Sequence, residues 1–168
     1  MRTTTHRILP ALALAGVGLG WVPGPGQQPG GASDMSRDLT PFLMFEGRAE
    51  EAMRFYVSVI PGSEIIDIER WKAGETGEAD AEGKVKLGRF TVGGVTVRTS
   101  DSPISHNFTF TPSWSFFLTC RDDAEMESLS AALLEGGEAL MPLDNYGFSQ
   151  RFTWIVDRFG VSWQLNLE

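Results

Sequence analysis

Residues 161 to 167, VSWQLNL, alternate without a break: Val161, Trp163, Leu165 and Leu167 fall on one side of an extended chain, Ser162, Gln164 and Asn166 on the other. A period of two predicts a half-buried strand, its apolar set against a core and its polar set facing open space. The same reading can be carried back along the chain. LTPFLMF (39–45) predicts a short strand with Pro41 near its start, where a missing amide donor is tolerated. GRAEEAMRFYVSVI (47–60) predicts a helix burying Ala49, Ala52, Met53, Tyr56, Val59 and Ile60, ended by Pro61-Gly62. SEIIDIERW (63–71) reads as a strand, and residues 72–83, with four acidic side chains, as a solvated loop. KVKLGRFTVGGVTVRTS (84–100) reads as a hairpin turning at Gly93-Gly94.

The pattern then repeats. SWSFFLTC (113–120) predicts a strand, and RDDAEMESLSAALLEGG (121–137) a helix opened by Asp122 with Glu125 three positions on, its inner stripe Met126, Leu129 and Leu133. EALMPL, SQRFTWIVD and the terminal strand complete the second series, with Trp163, Trp154 and Phe152 read as core beneath the second helix. An offset of about 75 positions lays Ala49 on Ala124, Glu50 on Glu125 and Gly62 on Gly137. The predicted fold is therefore α+β: two βαβββ modules, about 39–100 and about 113–167, whose curved mixed sheets surround a shared cleft in a single domain, 39–167.

Composition narrows the partners. A hydrophobic content of 42% supports a substantial core, and a net charge of -8 disfavours nucleic acid and anionic membrane surfaces, leaving a small molecule as the natural ligand. A single cysteine, Cys120, in an apolar strand reads as an inert buried thiol, and two histidines leave little for a zinc site. The amino terminus carries two readings. Arg2, Arg7 and the apolar run Ile8–Val22, followed by a Pro/Gly spacer, have the layout of a bacterial export leader, too short for a stable membrane span. Alternatively translation starts at Met35, residues 1–34 are a mis-called extension, and the protein is cytoplasmic rather than exported. Gly16, Gly18 and Gly20 spell GxGxG with no strand before them, which argues against a nucleotide loop.

PFLMFEGRAEEAMRFYVSVIPGSEI, VGGVTV, WSFFLTCRDD and above all DRFGVSWQLNL together resemble the vicinal oxygen chelate superfamily, which shares the glyoxalase/bleomycin resistance fold, and within it the PhnB-like branch. The resemblance spans about Leu39 to Leu167. It implies paired βαβββ modules, a tendency to form homodimers, and, in the superfamily's enzymes, a divalent metal held by one residue from the first and one from the last strand of each module. By the resemblance those positions fall here on Pro41 and Phe116, and on Arg98 and Gln164. Proline and phenylalanine offer no ligand, arginine repels a cation, and only the Gln164 amide could coordinate.

The resemblance therefore implies a protein without the usual metal and with no cofactor, whose cleft takes a small polar or anionic organic molecule. Thr96 and Arg98 from one module and Ser162 and Gln164 from the other are the predicted ligand-binding residues, with the planar Arg98 guanidinium suited to a carboxylate or phosphonate. Two alternatives stand beside this reading. One is a metal-dependent lyase- or dioxygenase-type enzyme with ligands elsewhere; the other is a dimeric scaffold without a ligand. The branch is often labelled a methyltransferase, but no Gly-rich turn after Leu39 offers a site for a nucleotide-like methyl donor. Trp71, Trp114 and Phe148 are candidates for the cleft rim, and Asn107-Phe108-Thr109 forms a glycosylation triplet that means little in a chain whose other features look bacterial. His106, in the connection between modules, reads as a solvent-facing or backbone-bonded residue rather than a general base.

Overall fold

The first helix starts where the end of the first module's last strand reaches across to cap it. Arg48, at the N-cap position, makes no side-chain cap bond. Instead Asp101 Oδ1 accepts the amides of Gly47 (2.7 Å) and Ala49 (2.9 Å), and Oδ2 accepts that of Val85 (3.0 Å). One buried carboxylate thus satisfies donors that a helix start leaves without intrahelical partners, and pins helix to sheet. The second helix is capped locally, as its sequence predicts: Asp122 accepts the Glu125 amide at 2.9 Å, and the Glu125 carboxylate accepts the Arg121 amide at 2.7 Å.

The computed structural model describes residues 39–168, so the leader and start-site readings at the amino terminus lie outside the described residues. The element order is β1 (Phe42–Phe45), α1 (Ala49–Val59), β2 (Ile65–Arg70), β3 (Val85–Val92), β4 (Val95–Asp101), β5 (Phe116–Thr119), α2 (Asp123–Leu134), β6 (Glu138–Asp144), β7 (Arg151–Val156) and β8 (Ser162–Leu167). Two four-stranded mixed sheets form, ordered β1-β4-β3-β2 and β5-β8-β7-β6. In each the module's first strand runs parallel to its last, while the other neighbours are antiparallel. This is the predicted α+β fold of two βαβββ modules. Gly93 and Gly94 have φ of 55° and 85°, the double positive φ that a two-residue hairpin needs between Val92 and Val95. Gly88 has a packing role: a Cβ there would lie 2.8 Å from Met53 Sδ and 2.9 Å from Thr99 Cγ2, so α1 sits closely on β3. Among the described residues no helix is long and apolar enough to cross a membrane.

One hydrophobic core runs through both modules. Leu43, Phe45, Met53, Tyr56, Phe90 and Val97 from the first join Met126, Leu129, Leu133, Ile155, Trp163 and Leu165 from the second. The join is polar at its centre. The carboxylate of Asp157, buried after β7, receives four hydrogen bonds: Tyr56 Oη and Trp163 Nε1 donate to Oδ2 (2.7 and 2.8 Å), and the amides of Phe159 and Val161 to Oδ1 (2.8 and 3.0 Å). Phe159, two residues on, packs against Phe45, Phe55 and Tyr56, while the Arg158 guanidinium lies 4.1 Å from the Phe55 ring centre. The DRFG turn is therefore a plug from the second module into the helix of the first.

The terminal strand departs from its alternation. Val161, Trp163 and Leu165 are buried as predicted, yet Ser162 and Asn166 are buried too, and only Gln164 of the polar set is half-exposed. β8 lies inside its sheet, between β5 and β7, and on its polar side Ser162 is bonded by Ser115 and by Trp154 Nε1. Trp154 and Phe152 share that side, in register with Gln164 and Asn166, and so lie opposite α2 rather than beneath it; Trp163 alone of the three faces the helix side.

Two outcomes are expected. Tyr56→Phe removes one donor from a buried carboxylate and should cost about 1–3 kcal/mol of stability, read by denaturant unfolding. Burial and the adjacent Asp157 charge push the Tyr56 phenol well above the ordinary value of about 10. A raised native value means that its contribution is complete below the unfolded tyrosine value and is lost as pH climbs past it. Tyrosinate absorbance should accordingly show Tyr56 ionising only together with unfolding, and Tyr56→Phe should remove that component. Cys120, 3% exposed, has its thiol pushed up to about 11 by burial, so it should resist disulfide reagents at neutral pH until the chain is denatured.

Candidate functional site

Each sheet has one face on the common core and one turned away from it. Strand register assigns the side chains. Phe42 pairs with Arg98 and Met44 with Ser100 across β1 and β4, and Arg89 pairs with Arg98 and Thr91 with Thr96 across β3 and β4. Leu43, Phe45, Val97 and Thr99 occupy the core side, so Phe42, Met44, Thr96, Arg98 and Ser100 share the open one. In the second module Phe117 pairs with Gln164 and Trp154 with Gln164, on the face opposite Trp163, Leu165 and Ile155.

The residues beside Arg98 and Gln164 are thus Phe42 and Phe117, one position beyond the predicted Pro41 and Phe116. Pro41 instead gives its carbonyl to the Arg98 amide at 2.9 Å, and Phe116 stacks on Trp163, with ring centres 4.7 Å apart, on the core side. The single-residue shift exchanges faces, because side chains alternate along a strand. It leaves the chemistry of the set unchanged: Phe42 and Phe117 are as devoid of ligand atoms as proline. Two aromatics, a guanidinium and one amide do not fit a divalent ion. Among the described residues, moreover, no group of three or more His, Cys, Asp or Glu is placed to hold a metal.

The four predicted ligand-binding residues are not gathered at one place in the chain. Arg98 lines a groove of about 520 Å³ with Asp67, Ile68, Glu69, Leu87 and Arg89. The Asp67 carboxylate holds Arg89 in a bidentate pair, and its acidity is enhanced first by that bond, then by the Arg89 charge and last by that of Arg98. Thr96 lies on the same face, two residues along β4. Ser162 lines a separate cavity of about 300 Å³ with Pro41, Phe42, Phe110, Ser113 and Trp114. It is already committed, sharing a 2.7 Å hydrogen bond with Ser115 and accepting one from Trp154 Nε1 at 2.8 Å. Gln164 Nε2 donates to Ser115 at 3.3 Å, so Gln164, Ser115, Ser162 and Trp154 form one polar chain on the second open face.

Of the rim candidates, Trp114 borders the Ser162 cavity and packs edge-on against Phe116; Trp71 donates to the Asp101 carbonyl at 3.1 Å; and Phe148 is exposed beside Tyr146. His106 is tied down at both its backbone and its ring. Its amide donates to Glu46 at 2.8 Å, and Nε2 lies 2.8 Å from Ser102 Oγ. Sequence reasoning left out Ser115, Arg89 and Asp67. No motif marks them, and only the strand register brings them beside Gln164 and Arg98.

Comparison with known proteins agrees with this architecture. The family model described as 3-demethylubiquinone-9 3-methyltransferase matches residues 37–166. Among solved structures, a PhnB protein from Bacillus cereus is 45% identical, covering 79% of this chain and 100% of that one with a TM-score of 0.74. Protein PA1353 from Pseudomonas aeruginosa is 32% identical over 79% of this chain and 98% of its own, with a TM-score of 0.68. The fosfomycin resistance protein FosX from Listeria monocytogenes, complexed with Mn(II) and 1S,2S-dihydroxypropylphosphonic acid, shares the fold alone, at 12% identity, 79% and 92% coverage and a TM-score of 0.53. No curated protein matches the chain. The chain belongs to the 3-demethylubiquinone-9 3-methyltransferase family, the PhnB-like branch of the vicinal oxygen chelate superfamily.

Proposed function

We propose that the protein binds a small polar or anionic organic molecule on its open sheet faces without the divalent metal of its superfamily. The observation that carries the reading is the side-chain set aligned by register: Phe42 beside Arg98 and Phe117 beside Gln164, a cationic fork, an amide and two aromatic plates. Such a set suits a flat organic anion, with the rings covering its body and the guanidinium meeting its carboxylate or phosphonate. Asp67 pairs with Arg89 beside Arg98 in the groove, and an incoming anion competes with it for the guanidinium groups. Methyl transfer has less support. The turn from β1 into α1 contains one glycine, Gly47, whose amide is already spent on Asp101, so that helix start offers no cradle for a nucleotide-like donor.

The complete site, in this reading, takes two chains. Arg98 and Ser162 line different cavities of one chain, whereas β1 and β5, the outer strands of their sheets, carry Phe42 and Phe117 about half or more exposed. A second copy seated on those aromatics removes them from water and sets one chain's Arg98 face against its partner's Gln164 face.

Elemental analysis and thermal unfolding with manganese, nickel and zinc test the metal half of the reading: no stoichiometric metal, no stabilisation by millimolar metal and no loss on chelation are expected. One tightly held ion per chain overturns it. Phenylphosphonate and benzoate should raise the unfolding midpoint, and Arg98→Ala should abolish the rise while leaving the unliganded midpoint nearly unchanged. Light scattering should give twice the chain mass, and Phe117→Asp should give single chains that no longer respond to either anion.

A further inference from the structure

A third cavity, of about 470 Å³, lies between the end of β1, the intermodule connection and the β7–β8 turn. Its apolar walls include Phe108, Phe110 and Phe159, and its polar lining is Glu46, Arg48, His106 and Thr109. The volume falls within the range of small-molecule sites. The hydrogen-bonding state of the polar residues indicates what such a molecule must bring.

Arg48 has its charge matched by Glu51 and three of its five N–H donors engaged. Nε and Nη2 bond Glu51 at 3.0 and 3.1 Å, Nη1 bonds the Arg158 carbonyl at 2.9 Å, and the guanidinium lies 4.4 Å from the Phe159 ring centre. The mutual shifts of the pair agree: Arg48 is held above its ordinary value and Glu51 below it, each chiefly by the bond to the other. Glu46 has no ion-pair partner among the described residues, and its one hydrogen bond is that from the His106 amide to Oε1. The His106 tautomer follows from counting protons. Ser102 Oγ lies 2.8 Å from the Ile104 carbonyl, which can only accept, so the single hydroxyl proton goes there. His106 Nε2, 2.8 Å from the same oxygen, must then donate, which in the neutral imidazole leaves Nδ1 as an acceptor. With the Arg48 charge matched by Glu51, the lining offers the Glu46 carboxylate, which has no ion-pair partner among the described residues, the His106 ring nitrogen as a further acceptor, and aromatic rings whose faces attract cations.

We propose that this cavity is a second ligand site that takes a small organic ammonium with an apolar body, the ammonium meeting Glu46 and His106 and the body lying against Phe108, Phe110 and Phe159. Its charge preference is opposite to that of the Arg98 groove, so the two sites are separable by experiment.

The test is calorimetric or NMR titration of the full chain with phenethylammonium and with phenylacetate, which share an apolar body and differ in charge. Phenethylammonium should bind at millimolar concentration, and phenylacetate should not perturb His106 or Phe108. Glu46→Gln keeps an oxygen for the His106 amide and should preserve folding, yet weaken phenethylammonium roughly tenfold by removing a charge-assisted hydrogen bond. Arg98→Ala should leave its affinity unchanged. No phenethylammonium binding, equal binding to Glu46→Gln, or loss on Arg98→Ala instead would each overturn the proposal.

Discussion

The buried carboxylate of Asp157 is the constraint on which the rest of the fold depends. Taking a charge out of water costs several kcal/mol unless hydrogen bonds replace its hydration, and here four donors do so. Two are amides of its own turn; the others, Tyr56 and Trp163, come from the helix of one module and the last strand of the other. The carboxylate can be satisfied only when both modules are folded and docked. Its position fixes Trp163, hence the phase of β8, and hence the face on which Gln164 appears.

Asp101 has the corresponding task inside the first module, joining the end of β4 to the start of α1 and to β3. Both acids close the core side of their sheets, and neither is available to a ligand. What remains for chemistry is the open side, where turn geometry governs the pairing. The two-residue Gly93-Gly94 hairpin sets β3 against β4 in the register that places Arg89 across from Arg98, and Asp67 pairs with Arg89 from β2.

The elements were legible wherever their signal was local. Helical periodicity gave the buried faces of α1 and α2, Asp122 with Glu125 marked the start of the second helix, and Gly93-Gly94 marked the hairpin. The repeated order of elements carried the two-module architecture. What stayed hidden was long-range. Nothing near Arg48 announces that its helix is capped from Asp101, and nothing in DRFGVSW shows that its acid and its two aromatics serve to lock the modules. The alternation of β8 does assign one face to the core and one away from it, but it does not show that Ser115 and Trp154 engage Ser162 on the outer face. The shift from Pro41 to Phe42, and from Phe116 to Phe117, came from counting positions without the parallel register that decides which side chain stands beside Arg98 or Gln164.

The parallel pairing at the sheet edges bears on how the chain reaches this structure. Thr99 Oγ1 meets the Leu43 carbonyl across 56 positions of sequence, whereas β3 and β4 are joined by a two-residue turn. Closing the longer loop costs more chain entropy before any contact repays it. The β3–β4 hairpin is thus placed to form early and β1 to dock late, with β5 in the same position in the second module. These two edge strands, four residues each, are shorter than the opposite edges β2 and β6 and have the least pairing to lose on opening. Local opening of the native protein begins at the strands that carry Phe42 and Phe117, and burying those rings would slow it.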